Sequence, residues 1–377
     1  MFAEKLLGYI QLYFRQRDHM QAPKGTLFVL PLLLVLGCGA PIPAPELTVD
    51  PVDVVPTAGC APVGNIRFVC DLISPEDLAV IPGEEWVIAS GNQQGGKIHL
   101  VSVRDKTTSV LFPTSSPREE FDATSYPTCP GPIDPAEGAA FRAHGLYLTP
   151  GSGTVHKMFL VHHGSRESIE VFEIDSSGTP PFLTWVGCAV APEAIRLNSV
   201  VGFSDGGFAA TSFRSHDKLA SSREDVLAGM VSGSVWEWHT ESGWIEVPGS
   251  DTSGPNGLEI SSNGQWFYIA GWGSKSFIRL SRGQVVLRRE AVELHFRPDN
   301  LRMQEDGSVF AAGANLLRSP EETFHAARID PEMLTYDRLI DHPAIDKFPA
   351  CTTAMQIGGE IWMGTNRGEK IGYFPVP

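Results

Sequence analysis

Six stretches of the chain are variants of one pattern. In order they read EDLAVIPGEEWVIASG from Glu76, HGLYLTPGSGTVHKMFLVHHG from His144, NSVVGFSDGGFAATS from Asn198, NGLEISSNGQWFYIAG from Asn256, DNLRMQEDGSVFAAG from Asp299 and TTAMQIGGEIWMGT from Thr352. Each begins with a short polar opening, continues as an apolar strand, turns at a glycine-bearing hairpin and returns as a stronger strand ending in a small residue. The starts are 68, 54, 58, 43 and 53 positions apart, the length of a four-stranded sheet with its loops. Further strand pairs follow within the units, as in KIHLVSV (97–103), SIEVFEID (168–175), GSVWEWHT (233–240) and SFIRLS (276–281). Helical periodicity is nearly absent after residue 60. The repeat therefore predicts an all-β chain, a six-bladed β-propeller with four-stranded blades over residues 63–377, in which radial packing covers both faces of every sheet.

The N-terminal part reads differently. Lys24 precedes an apolar run of about twelve residues, Thr26 to Gly37, too short to span a bilayer and shaped like a secretory signal. Residues 1–37 are expected to be a signal peptide, with 1–19 upstream of an alternative start at Met20. Val35-Leu36-Gly37-Cys38 resembles a bacterial lipobox, so Cys38 is the expected lipidation site and the first mature residue, with simple secretion as the alternative. A membrane-anchored exported lipoprotein follows, and the proline-rich stretch 38–62 reads as an extended tether. In an oxidising compartment the other five cysteines are expected to form one or two disulfides and leave one thiol; Cys60 or Cys70 bonded to Cys351 would tie the ends of the ring together.

A propeller turns sequence spacing into geometry. The innermost strand of each blade lines the central channel, so the six openings become one ring of side chains: Glu76, His144, Asn198, Asn256, Asp299 and Thr352, followed by Asp77 and Asn300. Any one of these has an ordinary structural role, since Asn-Gly most often makes a turn. A turn does not need the carboxylates, and their recurrence in register is what points to a site. Glu76 and Asp299 supply two charges and Asn198, Asn256 and Asn300 supply amide oxygens, the set a hard cation such as calcium takes, with about six to eight oxygens in all. His144 in the same ring is placed to remove a proton from water.

Together these motifs resemble the paraoxonase/arylesterase group within the SMP-30/gluconolactonase-like propellers, calcium-dependent lactonases and esterases. SPEDLAV, AHGLYL, VHHG with SIEVFEI, LNSVV, NGLEIS and DNLRM follow in that group's order over about residues 70–370. The resemblance implies that Glu76, Asn198, Asn256, Asp299 and Asn300 hold a catalytic calcium, and that His144 is the principal base with His163 as its dyad partner. It implies a second, structural calcium at Asp77 and the carbonyl of Leu146. There the group has a further Asp where this chain has Ser199, so one charged ligand is lost. Ala314 stands where the group often has a pocket histidine.

Other functions are excluded or disfavoured. The formal charge of −15 argues against a nucleic-acid partner. GNQQGGKI (91–98) nearly spells a phosphate-binding loop, but Ile98 replaces the required hydroxyl and a strand follows instead of a helix. No Gly-x-Ser-x-Gly or His-Glu-x-x-His motif occurs. The expected activity is hydrolysis of a small lactone or ester. The alternative is a lipid-anchored, calcium-bound propeller that binds a ligand or partner without catalysis, with the insertion at 112–140 as a plug or a substrate lid.

Overall fold

The computed structural model describes residues 59–134 and 140–377. The signal peptide, Cys38 and most of the expected tether lie outside the described residues. Strand β1 (Arg67–Val69) comes first. Blade 1 is β2 (Pro75–Val80), β3 (Trp86–Gly91), β4 (Ile98–Ser102) and β5 (Thr108–Phe112). A short strand β6 (Arg118–Glu119) precedes blade 2, which is β7 (Arg142–Thr149), β8 (Val155–His163), β9 (Ser168–Asp175) and β10 (Phe182–Val190). Blade 3 is β11 (Ile195–Gly202), β12 (Phe208–Ser215), β13 (Ser234–His239) and β14 (Gly243–Glu246), with helix α1 (Arg223–Leu227) between its second and third strands. Blade 4 is β15 (Pro255–Ile260), β16 (Trp266–Gly271), β17 (Ser276–Ser281) and β18 (Arg289–Glu293). Blade 5 is β19 (Arg297–Met303), β20 (Val309–Asn315), β21 (Thr323–Asp330) and β22 (Thr335–Pro343), and β23 (Thr353–Ile357), β24 (Glu360–Gly364) and β25 (Ile371–Pro375) belong to blade 6.

Six sheets result, and all six repeats fall on inner strand, hairpin and second strand as the pattern requires. The sixth sheet has the order β1-β25-β24-β23, so the N-terminal strand supplies the outer strand of the last blade. This pairing, Arg67 to Val69 against Tyr373 to Ile371, closes the ring with hydrogen bonds. The expected bridge from Cys60 or Cys70 to Cys351 is not formed. Cys60 bonds Cys70 across a Cα separation of 6.1 Å, and Cys129 bonds Cys188. Cys351 is buried beside the inner strand of the same blade, three strands in from β1, and stays a free thiol.

The blades pack through aliphatic side chains interleaved with aromatic ones. Phe208 stacks on Trp238 at 5.0 Å and meets Phe159 of blade 2 at 5.6 Å. Each ring of this kind removed from water is worth roughly 1.5–3 kcal/mol. The described part of the 112–140 insertion runs up the outside of blade 2, where β6 adds in parallel to β10 and Cys129–Cys188 pins it. Tyr126 stacks on Trp238 at 5.6 Å, and the Gly131 carbonyl accepts from Arg166 at the upper rim. These contacts hold the described part of the segment, residues 112–134, to the outer part of blade 2.

Candidate active site

Five of the six inner strands lose register with their neighbours at the ring positions. The shift lies between Pro75 and Asp77, Ala143 and Leu146, Leu197 and Val200, Pro255 and Leu258, and Pro298 and Leu301. β23 of the sixth blade is regular. A bulge releases its residues from the ladder and re-aims their side chains. Glu76, His144, Asn198, Asn256, Asp299 and Asn300 are thus turned into the channel by one repeated device. Glycines let the bulges nest: a Cβ on Gly145 would lie 2.4 Å from the Asn198 carbonyl oxygen, and one on Gly257 2.4 Å from that of Asp299.

The oxygens at the centre are buried and underused. Glu76 Oε1 accepts from Asn300 Nδ2 at 2.7 Å, but Glu76 Oε2 and the Oδ1 atoms of Asn198, Asn256 and Asn300 have no hydrogen-bond partner. Buried oxygens from four blades without donors are costly unless a cation takes them. The electrostatics agree. Burial first, and then the charges of Asp77 and Asp299, push the Glu76 carboxyl well above the usual carboxylate range. Burial likewise raises Asp299 to about 7, with Asn256 and Arg367 pulling the other way. Buried carboxylates that burial and mutual repulsion push toward protonation are what a divalent ion reverses. The residues present therefore fit one calcium, which Glu76, Asn198, Asn256, Asp299 and Asn300 would hold. Thr352 is a brace: its Oγ1 donates to the Glu76 carbonyl at 2.6 Å, and its own carbonyl accepts from the Asn300 N–H at 2.8 Å.

Beside this ring runs a chain of hydrogen bonds. His144 Nδ1 meets His163 Nε2 at 2.9 Å, and His163 Nδ1 meets Glu167 Oε2 at 2.9 Å. The other Glu167 oxygen accepts from the Leu197 N–H at 2.6 Å, which fixes the carboxylate to blade 3. Burial, with His163 and Arg142 nearby, holds His144 neutral and well below the usual histidine range. With Glu167 accepting from His163 Nδ1–H, neutral rings have one arrangement: His144 donates through Nδ1–H, and its bare Nε2 faces the ring, 3.7 Å from Glu76 Oε1. Glu167 was not among the sequence candidates. Its signal was there in HHGSRE, a carboxylate four residues after His163 across a tight turn.

The deeper position is built otherwise than the resemblance implies. Asp77 and the Leu146 carbonyl do converge, but on the guanidinium of Arg302. Arg302 Nη2 lies 2.5 Å from Asp77 Oδ1 and donates to the Leu146 carbonyl at 2.9 Å, while Nε donates to the Leu78 carbonyl at 2.9 Å and Nη1 to that of Leu301 at 2.7 Å. Burial pushes the Asp77 carboxyl up, and Arg302 and the N–H groups of Leu146 and Leu78 pull it back. Glu259, buried and raised to about 7 by desolvation, lies in the field of the same guanidinium. Ser199 Oγ accepts from the Leu258 N–H at 3.2 Å and so serves the backbone. These residues do not fit a second divalent ion, because a cation of the chain's own already joins Asp77 to the Leu146 carbonyl.

A surface cleft lies elsewhere, lined by Trp266, Tyr268, Asp306 and Arg328 near the hairpins at the other ends of the inner strands.

Among solved structures, the chain is similar in fold to a gluconolactonase from Xanthomonas campestris, with 17% identity, a TM-score of 0.50, and 83% of this chain and 89% of that one covered. It is similar to a luciferin-regenerating enzyme at 11% identity and a TM-score of 0.52, covering 83% of this chain and 95% of the other. A further structure described as a gluconolactonase matches at 13% identity and a TM-score of 0.50, over 84% and 94% of the two chains. No family model and no curated protein matches the chain. The fold is that of the SMP-30/gluconolactonase-like propellers. The finer likeness to the paraoxonase/arylesterase group rests on the sequence motifs alone.

Proposed function

We propose that this protein is a calcium-dependent hydrolase of small lactones or esters, acting at the upper mouth of the propeller channel. The observation that carries the reading is the set of unpartnered oxygens of Glu76, Asn198, Asn256 and Asn300, which meet beside a neutral, oriented histidine. Bound calcium would polarise the substrate carbonyl and stabilise the negative charge that develops on its oxygen. His144 accepts the proton of the attacking water at Nε2 and returns it to the leaving oxygen. His163 holds the ring through Nδ1, and Glu167 fixes the His163 tautomer, as an orienting carboxylate does in other hydrolytic sites. Arg302 keeps blades 1, 2 and 5 in register below the site, so one calcium is proposed instead of two. Export, with a lipid on Cys38, belongs to the same reading and is supported by the Cys60–Cys70 and Cys129–Cys188 disulfides.

The test is hydrolysis of a panel of lactones and aryl esters by the calcium-loaded protein, by the protein in chelator, and by Glu76→Gln and His144→Gln. Loss of turnover on chelation and in Glu76→Gln is expected, with a smaller loss in His144→Gln. Turnover that survives both chelation and Glu76→Gln would sink the calcium mechanism. Lactones that bind but stay intact would favour a ligand-binding module.

A further inference from the structure

Five arginines gather on the rim above the ring in a chain whose formal charge is −15. Arg214 is the penultimate residue of β12, Arg223 begins α1, Arg297 begins β19, Arg318 lies in the β20–β21 connection and Arg367 in the β24–β25 connection. All these positions lie at the end of the propeller where the inner strands start, the end that carries Glu76 and Asp299. The segments also touch. The guanidinium of Arg223 lies 5.3 Å from the Trp272 ring centre and that of Arg297 5.2 Å, and Trp272 packs with Val226 of α1 and Leu317 of blade 5. Arg297 is held there by bonds to the carbonyls of Trp272, at 3.2 Å, and Gly273, at 2.7 Å. It stands two residues before Asp299 on the same strand.

Their charges are mostly unspent. Arg367 pairs with Glu322, and Glu322 also accepts from the backbone N–H of Arg318. Among the described residues no carboxylate pairs with Arg214, Arg223 or Arg318. Asp225 is occupied in the cap of α1, where it accepts from the backbone N–H groups of Ser221 and Ser222. Burial, and then Arg318, Arg367 and Arg214, make Arg223 less basic than usual, with Glu224 as a partial offset, as expected for like charges gathered in one place. Packing on tryptophan explains Arg223 and Arg297, and Glu322 explains Arg367, but nothing in the fold explains why Arg214 and Arg318 stand on the same rim without a carboxylate partner. Gathered arginines repel one another, and an oxyanion between them removes that repulsion through paired N–H donors.

We infer that this rim binds an anionic group of the substrate, a carboxylate or a phosphate ester, remote from the carbonyl that reacts. The inference rests on the hydrolase reading for its substrate but not for its ligand chemistry. Binding energy from such a remote group orients the ester over the ring.

Two measurements test it. By calorimetry, inorganic sulfate, as the phosphate mimic, and succinate, as the carboxylate, are titrated into the calcium-loaded protein and into Arg223→Gln/Arg318→Gln. Saturable binding of at least one anion, weakened tenfold or more in the double variant, is expected; which anion binds more tightly identifies the group. No saturable binding, or equal binding by the variant, overturns the proposal, and anion binding without any lactone turnover would instead refute the hydrolase reading. In the kinetic arm, paired esters differing only in a remote carboxylate are compared. The wild type is expected to favour the anionic member by tenfold or more in kcat/KM, with high salt and the double variant both erasing the preference while the neutral ester is unaffected. Equal losses on both esters would mean that the arginines only hold the loops.

Discussion

Replacing Arg302 by methionine removes a buried cation and leaves Asp77, fully buried, with its charge uncompensated. The guanidinium also donates to the carbonyls of Leu78, Leu146 and Leu301, which belong to blades 1, 2 and 5. Breaking one side of a buried ion pair costs about 3–5 kcal/mol. At about 2 °C per kcal/mol for a domain of this size, Arg302→Met should melt about 6–10 °C below the wild type. The assay is scanning calorimetry of both proteins in chelator, so that calcium at the upper ring does not contribute. The double variant Arg302→Met/Asp77→Leu removes both charges and should recover at least half of the loss. Millimolar calcium should raise the melting temperature of Arg302→Met by more than it raises that of the wild type, since Asp77 and the Leu146 carbonyl are then free to take a further ion. A single variant melting within about 1 °C of the wild type, or a double variant as unstable as the single, would refute the view that Arg302 acts as the channel's internal cation.

Glu259 gives a pH prediction. Burial raises its carboxyl from an ordinary value near 4.5 to about 7, so between these pH values the folded state binds more protons than the unfolded one. Stability then falls as pH rises through that window. In saturating calcium the urea midpoint should drop from pH 5 to pH 8, and Glu259→Gln should flatten the drop; an unchanged slope would mean that Arg302 neutralises Glu259 fully. For the dyad, Glu167→Gln should lower kcat by roughly tenfold or more with little change in KM, because the carboxylate that sets the His163 tautomer is gone. Calcium content should be unchanged in that variant, and a kcat equal to wild type would remove Glu167 from the mechanism.

The propeller was legible because each blade repeats the same local problem: a buried inner strand, a tight hairpin and a small residue where blades meet. The ring was legible for a related reason, since a carboxylate or an asparagine at the start of an apolar strand has no packing role. Three things were harder to see. Glu167 belongs to a loop, and only the fold brings it to His163. The cysteine pairing depends on which strand closes the ring, and β1 lies at the outer edge of blade 6 while Cys351 is beside its inner strand. Arg302 did leave a trace, because NGLEI and DNLRM place Glu259 and Arg302 at equivalent positions of neighbouring inner strands, opposite charges where the other repeats carry Ala79, Tyr147, Val201 and Met355. That pairing becomes meaningful only once the channel brings Asp77 into range.

The central claim is that one calcium is held by oxygens from four blades, and metal content tests it most directly. Calcium bound per chain is counted by elemental analysis and calorimetry for the wild type, for Glu76→Gln/Asn256→Ala and for Asp77→Asn. One ion in the wild type, none in Glu76→Gln/Asn256→Ala and one in Asp77→Asn is the predicted result. Two ions in the wild type, or an ion that survives Glu76→Gln/Asn256→Ala, would contradict it.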